Sequence, residues 1–262
     1  DSRWENSLGM VLVPVGEGWM ASAWETRRSD YAMFAQDRGL VMLDPPGLEV
    51  GGDLDKWRDH PVASVSRDEA EQFCQWLTEK EISEDRLTRS LEYRLPTDLE
   101  WSFLAGLTED ADASPGMREV AIDRQAPFPW GDAWPPTEQV GNLADLSSDF
   151  PISRQVAFYN DGFPTTAPVG YFPPNDLGIY DLCGNVQEWV EDNYSQNPLD
   201  GNGVLRGGGW ASFQESDLYV SARNPKLPSS IDPTYGFRVV LAEQRLDTIE
   251  EEDDPFESDG ND

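Results

Sequence analysis

One histidine, two cysteines and three lysines among 262 residues remove much of the usual protein chemistry at the outset. A lone histidine, His60, cannot supply the two imidazoles of a 2-His-1-carboxylate iron site, and no nucleophile-elbow motif accompanies it. Set before Pro61, it is expected as a hydrogen-bonding loop residue. Cys74 and Cys183 can form at most one bridge, yet each follows an apolar residue, Phe73 and Leu182. Two buried free thiols are therefore expected, which leaves the redox compartment open. No run of 18 apolar residues occurs, so no helix is expected to span a membrane. The run Arg206-Gly207-Gly208-Gly209-Trp210 lacks the Lys-Ser/Thr of a phosphate-binding loop.

Positive charge is the other scarcity. Fifty acidic residues stand against 19 basic ones, a formal net charge of −31. Such a surface repels phosphates, so neither nucleic acid nor an anionic membrane is an expected partner. Acidic, lysine-poor chains remain compact where salt screens their self-repulsion, which points to a saline setting. The chain begins at Asp1 rather than Met, as expected if a signal peptide has been removed, and an extracellular or periplasmic location is the corresponding expectation.

Against these absences stands one dense stretch, Tyr159 to Tyr194, which mixes Gly, Pro, Asn and Asp with aromatic and aliphatic residues. Turn residues at this density exclude a long helix or regular strand. Its apolar content, with anchors at Gly178-Ile179-Tyr180 and Val186-Gln187-Glu188-Trp189, excludes a solvated linker. Asn160, Asp161, Asn175, Asp176, Asp181, Asn185 and Glu188 offer hard oxygen ligands of the kind Ca²⁺ takes. The same residues equally form Asx turns facing solvent, and composition leaves both readings open.

The flanking elements read more plainly. Residues 10–15 read as a strand, with Pro14 at an edge or end. Ser29 is the expected N-cap of a short helix that stops at Gly39. Residues 44–59 read as a polar loop. Ser66 with Glu69, and Thr97 with Glu100, are capping boxes; Ala70, Phe73, Cys74 and Leu77 form the buried stripe of the first helix, and Trp101, Leu104 and Ala105 face inward on the second. The acidic segment after Gly106, to about Ala126, is expected to be mobile. Val204-Leu205-Arg206, Leu218 to Arg223 and Gly236 to Leu241 read as strands. A single α+β domain over 1–245 is the consequence, followed by an acidic, disordered tail over 246–262.

The ordered motifs Asn6-Ser7-Leu8-Gly9-Met10, His60-Pro61-Val62, Arg94-Leu95-Pro96-Thr97, Trp130-Gly131, Asp161-Gly162-Phe163, Gly178-Ile179-Tyr180-Asp181, Gly184-Asn185-Val186-Gln187-Glu188-Trp189, Arg206-Gly207-Gly208 and Gly236-Phe237-Arg238 together resemble the formylglycine-generating enzyme, or sulfatase-modifying factor, family. The resemblance spans about residues 6–241. It implies an elaborated C-type-lectin-like fold with a small antiparallel sheet, two main helices and much ordered irregular chain. It also implies two calcium sites: one from Asn142, Leu143, Asp161 and Phe163, the other from Asp181, Gly184, Val186 and Glu188. Asp181 stands where the family usually has Asn.

The same resemblance places the family's two copper-binding cysteines at Ser212 and Asp217. A hydroxyl and a carboxylate cannot replace two soft thiolates around Cu(I). Neither copper nor iron is therefore expected, and the chain is not expected to be a formylglycine-generating oxidase. Arg206, Trp210, Ser212, Glu215, Asp217, Tyr219 and Arg223 cluster in the matching segment and mix charge, hydroxyl and aromatic faces, as a binding groove does. The alternative is that Arg206 and Arg223 are buried ion-pair partners and Trp210 is core. The expected function is a secreted, calcium-stabilised binding or accessory protein, a pseudoenzyme whose cleft takes a peptide, protein or glycan. The alternatives are an oxidoreductase using a different metal or cofactor in the same cleft, and a display scaffold with a variable 211–234 face. If the saline reading holds, the denaturant midpoint rises between low and molar salt; a flat or falling midpoint removes it.

Overall fold

The computed structural model describes residues 3–49, 52–121, 127–197 and 199–245. The acidic tail anticipated over 246–262 lies outside the described residues. Among the described residues, nine strands form two sheets. The first contains β1 (Trp4–Glu5), β2 (Val11–Gly16), β3 (Trp19–Ser22), β4 (Leu91–Arg94) and β9 (Val240–Glu243), in the order β1-β2-β3-β9-β4 and antiparallel throughout. The second contains β5 (Gln187–Asn193), β6 (Gly203–Arg206), β7 (Asn224–Lys226) and β8 (Tyr235–Gly236), in the order β7-β6-β5-β8, with β5 and β8 parallel.

Why residues 10–15, which lead into and form most of β2, read as a continuous apolar run follows from the two buried faces of that strand. Side chains alternate across a strand. Met10 and Leu12 enter a core shared with the helices α1 (Arg28–Arg38) and α2 (Arg67–Ser83), whereas Val13 and Val15 enter another shared with α3 (Asp98–Leu104) and the chain near Ile179 and Leu182. β9 does the same, with Leu241 on the first side and Val240 on the second. Pro14 lies beyond the two residues that pair with β1, where its missing N–H costs no ladder bond.

Both capping boxes form. Ser66 N–H donates to Glu69 at 2.9 Å and Glu69 N–H to the Ser66 hydroxyl at 3.2 Å; the Thr97 and Glu100 pair repeats this at 2.8 and 3.1 Å. α1 differs from expectation: it begins at Arg28 with Arg27 as N-cap, because the Asp30 carboxylate accepts from both the Arg27 N–H and its guanidinium. Its end at Gly39, in the left-handed region at φ 65°, is as expected. α1 and α2 pack through Tyr31, Phe34, Phe73 and Trp76, and Phe237 closes the cluster.

Three segments depart from the sequence reading. Leu218 to Arg223 is not a strand; a 3₁₀ turn (Glu215–Leu218) leads into a bend, and the carbonyls of Val220 and Ala222 are met by the Arg206 guanidinium at 2.7 and 3.1 Å instead of by a neighbouring strand. The run Gly236 to Leu241 is two strands, for the chain crosses from one sheet to the other at Phe237–Val239. The acidic segment after Gly106, expected to be mobile, carries α4 (Pro115–Ala121), whose Arg118 is buried. Within 44–59 the described residues are loop apart from one 3₁₀ turn, Leu54–Trp57, and the two cysteines are buried and free.

Candidate functional site

A buried carboxylate organises this end of the molecule. Asp98, at the first turn of α3, accepts from Arg118 at 2.9 Å, from Arg223 at 2.9 and 3.2 Å, and from Arg206. Arg223 also reaches Glu109 at 2.5 Å, and Arg206 lies over the Trp101 ring at 4.4 Å. Burial pushes the Asp98 carboxyl up, but the guanidiniums more than cancel this and hold it at about 2. The network ties α3, the 107–121 excursion, β6 and the 219–223 bend together.

Beside it opens a polar cavity of about 360 Å³, lined by Glu119, Gln187, Leu205, Gly207, Gly208, Ser212, Ser216, Asp217, Ala222, Arg223 and Asn224. Gly208, at φ 68°, is pressed against its neighbours: a Cβ there would lie 2.7 Å from Leu218. The Ser212 hydroxyl accepts from Gly209 N–H at 3.0 Å and so closes the glycine-rich turn. Of the seven residues anticipated for a cleft, Ser212, Asp217 and Arg223 line this cavity. The others do not. Arg206 is fully buried in the network; Trp210 stacks on Phe150 at 5.9 Å and bonds to Pro233 O; Glu215 is exposed and accepts from Tyr219, whose ring packs on Phe128 at 5.5 Å. Glu119, Gln187, Ser216 and Asn224 had no sequence signal; Glu119 belongs to the very segment read as mobile.

The oxygen-rich residues gather in two adjoining clusters. In the first, Asp161 accepts from Leu143 N–H and Phe163 N–H, each at 2.8 Å, and the Ser147 hydroxyl bonds to Phe163 O at 2.8 Å. Asn142 donates its amide to Thr165 O at 2.6 Å and to Asn185 at 3.2 Å, but its buried Oδ1 has no hydrogen-bond partner. Burial, with Asp145 alongside, pushes Asp161 up to about 7 despite its two backbone donors. In the second cluster the Arg238 guanidinium clasps both Glu188 oxygens at 2.6 Å, and Trp101 donates to the same carboxylate at 2.9 Å. Glu25, which the sequence reading missed, bonds to Asn185 and to Val186 N–H. Asp181, in the left-handed region at φ 58°, accepts from Gly170 N–H, while Gly184 N–H donates to Gly207 O. Three buried carboxylates thus share one guanidinium, and burial raises both Glu25 and Asp181, the latter to about 6. Among the described residues, no three or more His, Cys, Asp or Glu side chains form a metal-holding group, so amide and carbonyl oxygens would have to supply much of any cation's shell.

A sulfatase-modifying factor enzyme 1-like domain model matches residues 10–243. The formylglycine-generating enzyme of Mus musculus is 29% identical over 195 residues, covering 69% of this chain and 44% of that protein. The inactive C-alpha-formylglycine-generating enzyme 2 of Bos taurus is 31% identical over 186 residues, covering 69% of this chain and 50% of that protein. The chain thus spans about half the length of these relatives or less. Among solved structures, PvdO from Pseudomonas aeruginosa superposes with a TM-score of 0.57 at 21% identity over 86% of this chain and 80% of that one. CarF superposes with a TM-score of 0.55 at 20% identity over 92% and 96%. The fold they share with this chain is the C-type-lectin-like one.

The clusters generate a pH dependence whose sign can be worked out. Asp161 and Asp181 titrate near 7 and 6 when folded and near 4 when unfolded, so between these values the native state holds more protons. Their contribution is fully present below about pH 4 and lost as pH rises through 6 to 7. His60, pulled down to about 4 by burial, opposes this below about pH 6.5, one group against the raised carboxylates. In chelator-treated protein the urea midpoint should therefore fall from pH 5 to pH 8, and Asp161→Asn should flatten the slope. A midpoint that rises over this range would contradict the assignment.

Proposed function

The chain belongs to the sulfatase-modifying factor family, and on that premise we propose that it is a calcium-stabilised binding or accessory protein, whose ligand, a peptide, protein or glycan, enters the 360 Å³ cavity. The observation that carries this reading is the make-up of that cavity. Ser212 and Asp217, at the positions where the resemblance puts copper-binding thiolates, both line it, and the two cysteines of the chain, Cys74 and Cys183, are buried elsewhere. What remains is a polar hollow with hydroxyls, amides and carboxylates converging on it, the make-up of a recognition site.

Calcium is proposed at both oxygen clusters. The first would draw on the unpartnered Asn142 Oδ1 and the Asp161 carboxylate, with the carbonyls of Leu143 and Phe163; a cation there would relieve an orphaned buried oxygen and a carboxylate raised by burial. The second would draw on Asp181 and Glu188, with the carbonyls of Gly184 and Val186, where three carboxylates outnumber the single Arg238. Bound calcium supplies structural charge neutralisation and no redox chemistry. A secreted protein in a saline medium is the setting this reading favours.

Elemental analysis of purified protein tests the reading, with about two calcium per chain and no stoichiometric copper or iron expected; stoichiometric transition metal would overturn it. Chelation should lower the thermal midpoint by several degrees, since a ligand held at about 100 times its Kd contributes about 2.7 kcal/mol. That shift should shrink in Asp181→Ala combined with Glu188→Ala. The register of the cavity has its own check: Ser212→Cys combined with Asp217→Cys is expected to gain Cu(I) binding, and a double variant that binds none would detach the cavity from the family's copper position.

A further inference from the structure

The cavity is charged in one direction. The one lining guanidinium among the described residues, Arg223, directs Nε and Nη2 to Asp98, Nη2 also to Glu109, and Nη1 to Ser221 O at 2.8 Å. Each of its three guanidinium nitrogens is already hydrogen-bonded to a protein oxygen. The charged groups left to meet a ligand are Glu119 and Asp217, on a wall otherwise made of hydroxyls, side-chain amides, glycines and two aliphatic residues.

Glu119 is also held in place before any ligand arrives. Its Oε1 accepts from Arg223 N–H at 3.1 Å and its Oε2 from the Tyr194 hydroxyl at 2.9 Å. The helix that carries it is seated by Gly116, whose N–H donates to Tyr194 O at 2.9 Å and whose missing Cβ would lie 2.9 Å from the Tyr194 ring. The helix in turn depends on Arg118 and its bond to Asp98. Each carboxylate oxygen can accept a second hydrogen bond, so Glu119 is oriented without being exhausted. A bidentate guanidinium fork would need the remaining acceptor position of both oxygens at once, on one edge of the carboxylate. A compact ammonium, with three donors free to turn toward separate oxygens, has no such requirement.

Building on the reading of this cavity as a binding site, we propose that it selects ligands by a primary ammonium group, with Glu119 as the specificity-determining residue and Asp217 as a second anionic partner. The ammonium belongs to a lysine side chain or to an amino sugar; both present the same chemistry to these oxygens. The acidic surface assists by concentrating cations near the mouth of the cavity.

The test measures dissociation constants of the full chain, in calcium, for Nα-acetyl-lysine methylamide and for glucosamine. Their neutral counterparts, acetylated on the amine, serve as controls. At least one amine should bind, its acetylated counterpart should not, and Glu119→Gln should weaken binding by about tenfold or more, the scale of a lost charge-assisted hydrogen bond, at an unchanged unfolding midpoint. Which amine responds tells a lysine side chain from an amino sugar. Absence of binding by either amine, equal binding of the acetylated controls, or an indifferent Glu119→Gln would each overturn the proposal. Ser216→Trp, at an exposed position on the cavity wall, separates the two levels of the reading. If acetylated probes bind and Ser216→Trp abolishes that binding, the cavity stands as a site and only its choice of ammonium falls. If Ser216→Trp changes nothing, the cavity falls as well.

Discussion

One buried carboxylate meets three guanidiniums, and the shape of the candidate site depends on that balance. Asp98 alone cannot neutralise Arg118, Arg206 and Arg223; Glu109 makes up part of the difference through Arg223. Removing one member of a buried, hydrogen-bonded charge group leaves the others uncompensated, at a cost of about 3–5 kcal/mol. The same network holds the 219–223 bend, because the carbonyls that would have entered a ladder are bonded to Arg206. Substituting an apolar core here would leave the bend without partners, and with it one wall of the cavity.

The opposite imbalance occupies the neighbouring region. Around Glu25, Asp181 and Glu188 negative charge exceeds positive, and around Asp145 and Asp161 no guanidinium intervenes among the contacts described. Buried carboxylates in excess are resolved by protons or by cations. The molecule therefore has one end where guanidiniums outnumber the carboxylates they pair with and another where carboxylates are in excess, with the Gly184–Gly207 hydrogen bond between them. Stability at this junction depends on solution conditions in a way that the aromatic core of α1 and α2 does not.

What could be read from the sequence follows the range of the interaction. The capping boxes at Ser66 and Thr97 are local, four residues each, and both form. The apolar run at residues 10–15 and the periodic α2 stripe also appear. Asp161, Asp181 and Glu188 could be nominated because ordered motifs carry them, and Asn142 because the resemblance implies it; the fold places the four in two adjoining clusters. Asp98 was legible only as part of a helix start, because its partners lie 20, 108 and 125 residues away. Composition made the segment after Gly106 look mobile for the same reason. Glu109 and Glu119 are polar residues whose partners Arg223 and Tyr194 come from distant parts of the chain. Leu218 to Arg223 has the residues of a strand, but an arginine took the neighbour's place.

The sheet order also says where mechanical load would go. β1 and β9, near the two ends of the described chain, belong to one sheet and are separated in it only by β2 and β3. Tension applied between these two strands would load the ladders that β9 makes with both β3 and β4, while the cavity and most of the two oxygen clusters, which lie between β4 and β9 in the chain, hang outside the line of force. The crossing at Phe237–Val239 joins the sheets through Arg238, which bonds to Ser22 O in one and Glu188 in the other. Pulling would thus have to open the first sheet before it distorted the second.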